Sequence, residues 1–416
     1  MRSGDTPSTV AVVGGGAIGL LTAYYLRRAG LDVTVLERDR VGRGCSWGNL
    51  GWVCPSISTP LAAPGLGVAS LFGALGSDSP LYIRPSSIPA LTPWLLRFRS
   101  HCNADDYAAG CIALARLNDL TMDLYDGLLR EGVAFEHYAR GMTFVASDSR
   151  ALEDERRMIE DVGVSEVASW SAEQLLEREP ALPPAFAGAL HVASDRHVRG
   201  DSLCAGVAEA LVGAGGRLEE GFEVSRARLE SGTVVALEGP GGPVEADSFV
   251  FAAGAETGRV APGGAVLGLQ AGKGYSITVH RPRLRLTCPL YICDVRIGLT
   301  PYRDVLRVGG TMELSGINRR LDPRRVQSIR RQVLGLVPDA LEGEREVEWV
   351  GMRPLTPDGL PSIGRLPGTT NAYVAAGHQM LGITLAPATG HALARLIAEG
   401  APGVPLEPFE PGRFAD

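Results

Sequence analysis

Long apolar segments are absent from this 416-residue sequence, and no window approaches the ~20 apolar residues that a membrane-spanning helix needs. The stretch from 61 to 75 is apolar, but Pro64, Gly65 and Gly67 interrupt it. We expect this stretch to pack on the protein body, with peripheral contact to a membrane surface as the alternative. Residues 1–8 are polar, which predicts no secretory signal peptide. These absences favour a cytoplasmic protein, with association at the inner face of a membrane left open.

Basic residues are not in excess, and the cysteines form no pattern. The formal net charge is −7, and because a nucleic-acid-binding surface needs positive charge, we expect no nucleic-acid partner. The seven cysteines are scattered without a partner pair or a histidine cluster, which predicts reduced thiols and no metal site. The length of the chain suits two domains better than a single core.

A dinucleotide-binding fingerprint lies near the N-terminus. Residues 9–13 predict a buried parallel strand, the glycine-rich segment 14–19 follows it directly, and a helix is expected from about residue 17 to residue 29. In such a unit Gly14 allows the tight turn, Gly16 lets the backbone approach a pyrophosphate, and Gly19 allows close packing of helix and strand. The N-terminus of the helix would bind the pyrophosphate.

The second strand of this unit, 32–36, leads into Glu37, eighteen residues after Gly19. A carboxylate at this distance accepts hydrogen bonds from the adenosine ribose hydroxyls and would repel a 2′-phosphate. The pattern therefore disfavours NADP. It does not by itself distinguish NAD from FAD.

The C-terminal region contains a second predicted anion site. Residues 371–376 predict another buried strand, 377–384 a loop, and 385–399 a helix with Thr384 as its N-cap. A reduced flavin carries negative charge near N1 and the C2 carbonyl, which a helix N-terminus would stabilise. A simple NAD dehydrogenase does not need this second helix start, so the pattern favours FAD.

Arg353 lies in the segment 351–361, which contains three prolines and two glycines. This composition predicts a rigid loop, neither a helix nor a central strand. A guanidinium held in one place can bind both oxygens of a carboxylate. We therefore predict that Arg353 binds the substrate carboxylate, with a structural ion pair as the alternative.

Several further segments resemble the D-amino-acid oxidase superfamily of FAD oxidoreductases, most closely its bacterial D-amino-acid dehydrogenase branch, with features similar to glycine oxidase at 385–390. The resemblance covers nearly the whole chain. The segments that carry it are Val13–Gly19, Cys45–Gly51, Pro60–Gly65, Lys273–Ser276, Arg307–Gly310, Gly351–Pro361, and Gly377-His378 followed by Leu381-Gly382.

The resemblance implies roles for individual residues. Arg353 would bind the substrate carboxylate, while Tyr275 and His378 would line the pocket above the flavin ring; core packing is the alternative for both. A strand at 222–224 would bring the Val224 backbone to the adenine. The residues implied in FAD binding are Gly14, Gly16, Ala17, Ile18, Gly19, Glu37, Arg38, Ser46, Asn49, Leu50, Gly51, Val224, Ala253, Gly254, Gly377, Leu381, Gly382, Ile383 and Thr384.

Some residues depart from the family pattern. Trp47 and Trp52 stand where smaller or polar residues are common, and Gln379-Met380 replaces a smaller pair. These departures leave the substrate size and the electron acceptor, a quinone or oxygen, open. Some relatives attach FAD through a cysteine just before the arginine segment, whereas this chain has Val347–Gly351 there. Noncovalent FAD is therefore expected.

The expected fold is α/β, with a Rossmann-like FAD-binding domain and a discontinuous α+β substrate domain built on a mixed or antiparallel sheet. The predicted FAD domain comprises 1–84, 201–262 and 346–416, and the substrate domain comprises 85–200 and 263–345.

The expected function is oxidative deamination of a small D-amino acid to its 2-oxo acid and ammonia. The alternative is oxidation of a secondary amine or imino acid, such as D-proline, hydroxy-D-proline or sarcosine, or of glycine. A flavin hydroxylase is disfavoured because its Gly-Asp motif is replaced by Gly377-His378. An electron-transfer subunit would have no need of Arg353.

Overall fold

The structure is a computed structural model that describes residues 7–65 and 79–415. Its helices are α1 (Ala17–Arg28), α2 (Ile88–Ser100), α3 (Ala104–Asn118), α4 (Thr121–Arg130), α5 (Ser149–Asp161), α6 (Ala172–Arg178), α7 (Gly200–Gly213), α8 (Thr257–Val260), α9 (Pro323–Leu336) and α10 (Gly382–Glu399). Its strands are β1 (Thr9–Val13), β2 (Asp32–Glu37), β3 (Trp52–Val53), β4 (Leu81–Ile83), β5 (His137–Tyr138), β6 (Met142–Ala146), β7 (Ala168–Ser171), β8 (Gly188–Val192), β9 (Arg196–Val198), β10 (Arg217–Glu220), β11 (Arg226–Glu230), β12 (Thr233–Glu238), β13 (Ser248–Phe251), β14 (Gln270–His280), β15 (Leu290–Ile292), β16 (Ile297–Pro301), β17 (Val305–Leu314), β18 (Arg345–Leu355), β19 (Ser362–Arg365) and β20 (Ala372–Ala376).

The first sheet has the order β10-β2-β1-β13-β20-β19. All its neighbours are parallel except β19, which runs antiparallel to β20. The central strands β1, β13 and β20 are almost entirely buried, as expected for strands covered on both faces. The predicted β-α-β unit is confirmed, with α1 between β1 and β2.

The second sheet is larger and mixed. It follows the order β18-β14-β17-β16-β15-β6-β8-β7, with β4 paired to β17. The pairs β15–β6 and β17–β4 are parallel, whereas the other pairs are antiparallel. The predicted fold class, a Rossmann-like sheet with a second mixed sheet, is confirmed.

Helices α3 and α4 pack on the first sheet's side of the molecule. Leu114 and Leu117 share one apolar cluster with residues of α10 and β1. The Tyr125 hydroxyl of α4 donates a hydrogen bond to the Ile383 carbonyl at 2.7 Å. The predicted ranges assign both helices to the substrate domain and β4 to the FAD domain, although β4 pairs in the larger sheet. The domain division therefore stays a prediction.

Three local predictions are wrong. Helix α10 begins at Gly382, so Thr384 lies in its first turn and is not the N-cap. Arg353 does not lie in a loop but in β18, an edge strand. An edge strand tolerates Pro354, because the backbone N–H that proline lacks need not pair with a neighbouring strand there. Residues 222–224 form no strand.

The apolar stretch at 61–75 lies partly outside the described residues. Within the ranges 7–65 and 79–415, no helix is long and apolar enough to cross a membrane.

The contact between α1 and α10 depends on Gly390. A Cβ at this position would lie 2.8 Å from backbone atoms of Leu21 and Thr22. We predict that Gly390→Ala lowers the free energy of unfolding by ~1–3 kcal/mol, because the helices must move apart. Gly335→Ala in α9 is the matched control, since its Cβ would meet no atom of the described residues within 4 Å. Chemical denaturation measures both, and equal stability of the two variants would contradict the packing argument.

Candidate active site between the two sheets

A cavity of about 790 Å³ is bounded by elements of both sheets. Its walls include the β1–α1 turn, the loop 43–52, strands β14, β17 and β18, and the start of α10. The sequence-predicted residues that line it are Gly14, Gly16, Ala17, Ile18, Glu37, Arg38, Ser46, Asn49, Leu50, Gly51, Val224, Ala253, Gly254, Tyr275, Arg353, His378, Leu381, Gly382, Ile383 and Thr384. The structure therefore brings residues from distant parts of the sequence to one cavity.

Gly19 and Gly377 do not line the cavity. A Cβ on Gly19 would lie 1.9 Å from the Gly14 carbonyl oxygen, so this residue allows helix and strand to pack, as predicted. Gly377 has a φ of +84°, and a Cβ there would lie 2.7 Å from Thr356 Cγ2. Its role in this structure is to shape the turn after β20.

One end of the cavity has the geometry of a nucleotide site. Gly14 adopts a φ of +108°, and a Cβ there would lie 2.5 Å from the Ala252 carbonyl oxygen. The Glu37 carboxylate accepts hydrogen bonds from the Gly15 amide at 2.8 Å and the Asp39 amide at 3.0 Å. These contacts hold the carboxylate beside the glycine-rich turn.

The loop 43–52 is held by three hydrogen bonds to consecutive carbonyls. Ser276 donates to the Gly48 carbonyl at 2.7 Å, Arg307 to Asn49 at 2.8 Å, and Tyr302 to Leu50 at 2.8 Å. The three donors are side chains of the second sheet and its β16–β17 turn. At the other end of the loop, Ser46 accepts a hydrogen bond from the Ala17 amide of α1 at 3.1 Å. The loop is therefore fixed from both sides of the cavity.

Arg353 is held without a carboxylate partner among the described residues. Its Nη1 donates a hydrogen bond to the Thr311 carbonyl at 3.0 Å. Its guanidinium occupies the space that a side chain at residue 274 would need, since a Cβ on Gly274 would lie 2.5 Å from Arg353 Cζ. Burial lowers the pKa of Arg353, although an arginine remains cationic at neutral pH. The remaining guanidinium donors are suited to a carboxylate ligand.

Thr311 is a residue that the sequence analysis missed. It is the extra residue of a β-bulge in β17, because Gly310 and Met312 pair with consecutive residues of β14. It has a φ of 62°, which is strained for a β-branched residue. Its hydroxyl is buried without a hydrogen-bond partner in the described part of the chain, and the residue lines the cavity. The adjacent Gly309-Gly310 pair was the only sequence signal of an irregular strand.

Tyr275 lines the cavity and belongs to a buried polar cluster with Glu313 and Lys273. Its hydroxyl donates a hydrogen bond to Glu313, which also lies 3.1 Å from the Lys273 ammonium. Burial, together with Glu313, raises the pKa of Tyr275. The phenol is therefore neutral, and its proton is engaged in the hydrogen bond to Glu313.

His378 lies at the cavity wall and is 3% exposed. Its Nε2 lies 3.0 Å from the Thr389 hydroxyl, whereas Nδ1 is buried without a partner among the described residues. Burial lowers the pKa of His378 to about 3. The imidazole is therefore neutral at pH 7, with one ring nitrogen left for a ligand.

The start of α10 also lines the cavity. Among the described residues no side chain caps this helix, and Leu381, Gly382 and Ile383 line the cavity. The Thr384 hydroxyl donates to the Trp52 carbonyl at 3.0 Å and accepts from the Cys54 amide at 3.2 Å. An uncapped helix start is suited to negative charge. The starts of α1 and α10 therefore both open on the cavity, and their roles toward a pyrophosphate and a flavin ring stay predictions.

The family model described as FAD-dependent oxidoreductase (DAO) matches residues 9–396. The chain belongs to this family. A D-amino acid dehydrogenase of Methylobacterium sp. (strain 4-46) is 32% identical, over 97% of this chain and 99% of the relative. A glycine oxidase of Geobacillus kaustophilus has a similar structure, with a TM-score of 0.74, 27% identity and 98% of each chain covered.

The fold is shared more widely. An iminodiacetate oxidase of Chelativorans sp. BNC1 superposes with a TM-score of 0.73 at 24% identity, covering 97% of this chain and 98% of that one. The protein is an FAD-dependent oxidoreductase, and the resemblance stated from its motifs is confirmed. The geometry fits FAD, since the close approach at Gly14 and the two helix starts open on one cavity. The assignment of individual FAD-binding residues and noncovalent attachment stay predictions.

Removal of the Glu37 carboxylate tests the nucleotide end. We predict that Glu37→Ala weakens FAD binding by ~1–3 kcal/mol, because hydrogen bonds to a charged acceptor are lost. Glu219→Ala on the neighbouring strand β10 is the control, since Glu219 is exposed and does not line the cavity. Titration of the deflavinated proteins with FAD gives both dissociation constants. An unchanged constant for Glu37→Ala would exclude a role in binding the ribose.

Proposed function

We propose that the protein catalyses FAD-dependent oxidative deamination of a D-amino acid to its 2-oxo acid and ammonia. The observation that carries this proposal is Arg353, a half-buried guanidinium that lines the cavity and has no carboxylate partner among the described residues. The 32% identity to a D-amino acid dehydrogenase supports the same substrate class.

The residues of the chain would act mainly by positioning. Arg353 would bind the substrate carboxylate with two parallel hydrogen bonds, which fixes the α-carbon within the cavity. The neutral His378, with Nδ1 unpaired in the described structure, would accept a hydrogen bond from the amine or donate one to the substrate, depending on its tautomer. The Thr311 hydroxyl, beside the Arg353 contact, would supply a further polar contact.

Held by the β1–α1 turn and the start of α10, bound FAD would supply the redox chemistry, which is hydride acceptance from the α-carbon. The oxidised substrate would leave as an imine, which water hydrolyses to the 2-oxo acid and ammonia. The amine must be neutral for this step, and its proton would pass to solvent or to a group of the pocket. The neutral state of His378 at pH 7 makes it suited to a hydrogen bond with this amine.

Oxidation of glycine or of a secondary amine is the second candidate. The glycine oxidase of similar structure favours it, at 27% identity. The same anchoring of the carboxylate by Arg353 would serve these substrates. Anaerobic bleaching of the flavin by D-alanine, L-alanine, glycine, sarcosine and D-proline would distinguish the two candidates.

Substitution of Arg353 tests the carboxylate site. We predict that Arg353→Leu folds and binds FAD but loses roughly thirty- to several-thousand-fold in kcat/KM, because a carboxylate left unpaired costs ~2–5 kcal/mol. Arg353→Lys should recover part of the loss, since an ammonium lacks the bidentate geometry. Arg345→Leu on the same strand is the control, because Arg345 is exposed and is not among the residues that line the cavity.

An amine that lacks the carboxylate sharpens this test. The wild-type protein should reject it strongly, whereas Arg353→Leu should discriminate much less. If Arg353→Leu keeps wild-type efficiency on amino acids, Arg353 is structural and the proposed substrate class loses its main support.

The electron acceptor is a separate prediction. From the resemblance to the dehydrogenase branch we expect the reduced protein to pass electrons to a quinone analogue faster than to oxygen. Stopped-flow reoxidation in air and with the quinone analogue compares the two rates. Formation of hydrogen peroxide at full turnover would identify the protein as an oxidase.

A further inference from the structure

One part of the cavity, here called the arm, is lined by Trp52, Glu155, Met158 and Tyr291. It contains a buried carboxyl, that of Glu155, which the proposed chemistry does not use. Glu155 lies on the inner face of α5, between Leu152 and Ile159, and is 8% exposed. The residue lines the cavity, and its Oε1 is buried without a hydrogen-bond partner in the part of the chain that the structure describes. Since buried polar atoms are nearly always paired, an unpaired carboxyl at a cavity wall points to a ligand.

The surroundings of Glu155 are apolar and aromatic. Phe144 and Ile159 are fully buried in the neighbouring cluster, against which Trp52 and Tyr291 pack. The rings of Trp52 and Tyr291 meet edge to face at a centroid distance of 5.7 Å, and both residues line the cavity. Met158, one turn from Glu155, lines it as well. A carboxylate beside aromatic rings is suited to an organic cation, which can pair with the acid and contact the ring faces.

The charged groups in this arm are the Glu155 carboxyl itself and the Arg296 guanidinium. Burial raises the pKa of the Glu155 carboxyl to about 7, and Arg296 partly offsets this rise. Arg296 lines the same cavity but is exposed, and no ion pair joins it to Glu155 in the described structure. The arm therefore contains a desolvated acid whose charge no partner neutralises at contact distance.

We infer that Glu155 binds a cationic group at the end of the substrate side chain, so that the preferred substrates are D-amino acids with a terminal ammonium or guanidinium. The inference rests on the proposed function and specifies its substrate class. Arg353 would hold the α-carboxylate, while Glu155, Trp52 and Tyr291 would contact the distal cation. This substrate class is larger than the small side chain expected from the sequence.

Paired substrates test the inference in the FAD-loaded protein. D-Arginine and D-lysine carry the cation, D-norleucine is an uncharged linear analogue, and D-glutamate carries the opposite charge. Wild type should prefer the two cationic substrates in kcat/KM. Glu155→Gln should lose about thirty-fold or more on them, the usual cost of removing one partner of a buried charge pair, and change less than about three-fold on D-norleucine.

Glu160→Gln is the matched control, since Glu160 lies on the same helix and is exposed. It should behave as wild type on all four substrates. Glu155→Gln should also be at least as stable as wild type at pH 8, because it removes an ionised carboxylate that is buried without a partner. A large loss of stability would show that Glu155 is structural and would overturn the inference.

Binding of unreactive ligands separates this inference from the proposed function. The flavin spectrum is titrated with 5-guanidinopentanoate and with hexanoate, neither of which has an α-amine. Tighter binding of the guanidino compound in wild type, lost in Glu155→Gln, supports the cation site even if no D-amino acid is oxidised. In that case only the proposed function fails.

The opposite results are equally clear. If wild type binds both ligands equally and oxidises D-norleucine as well as D-arginine, Glu155 has no role in recognition and the inference fails alone. This conclusion needs no variant, so it holds even if Glu155→Gln does not fold. A preference for D-glutamate would assign the arm to Arg296 and would also overturn the inference.

Discussion

The cavity depends on three hydrogen bonds that join the second sheet to the loop 43–52. Ser276, Arg307 and Tyr302 bind the carbonyls of residues 48–50, while Ser46 in the same loop accepts from the first turn of α1. A loop held by its carbonyls at one face and by a serine at the other has one permitted position relative to both sheets. Arg307 is 3% exposed, and a buried guanidinium whose acceptor were lost would remain desolvated. These hydrogen bonds therefore fix the loop 43–52 between the two sheets.

The same sheet stores strain where the substrate is expected. The bulge at Thr311 places a β-branched residue at positive φ, and the carbonyl of that residue binds Arg353. Gly274 provides the space for the guanidinium, since any side chain there would collide with it. Strain of this kind persists only where the surrounding structure enforces it. Here the enforcing structure is the pairing of β14 with both β17 and β18.

Sequence patterns predict the parts of this structure that are local. The turn at Gly14, the packing at Gly19 and the position of Glu37 all follow from spacing within one β-α-β unit, and each is observed. The sequence identifies Arg353 as a candidate but predicts a loop where the structure has an edge strand, because the composition of 351–361 does not show that an edge strand tolerates Pro354. The sequence signals Thr311 only indirectly, through Gly309-Gly310, and it does not signal Glu155, because the roles of both residues depend on strand register and on which described side chains lie near them in space. Such features depend on contacts between residues far apart in the chain.

Three residues that line the cavity have a buried side-chain atom without a hydrogen-bond partner in the described part of the chain, and these atoms differ in their chemistry. The hydroxyl of Thr311 and Nδ1 of His378 are neutral groups suited to a polar ligand, and Arg353 contributes the positive charge beside Thr311. Glu155 of α5 contributes an acidic group, and apolar and aromatic side chains of other elements surround it. Each buried polar atom that lacks a hydrogen-bond partner costs ~1–3 kcal/mol of stability. A ligand that pairs with these atoms of Thr311, His378 and Glu155 would offset that cost. A ligand with an anionic end and a cationic end would satisfy these groups at once, because its anion would pair with Arg353 and its cation with Glu155.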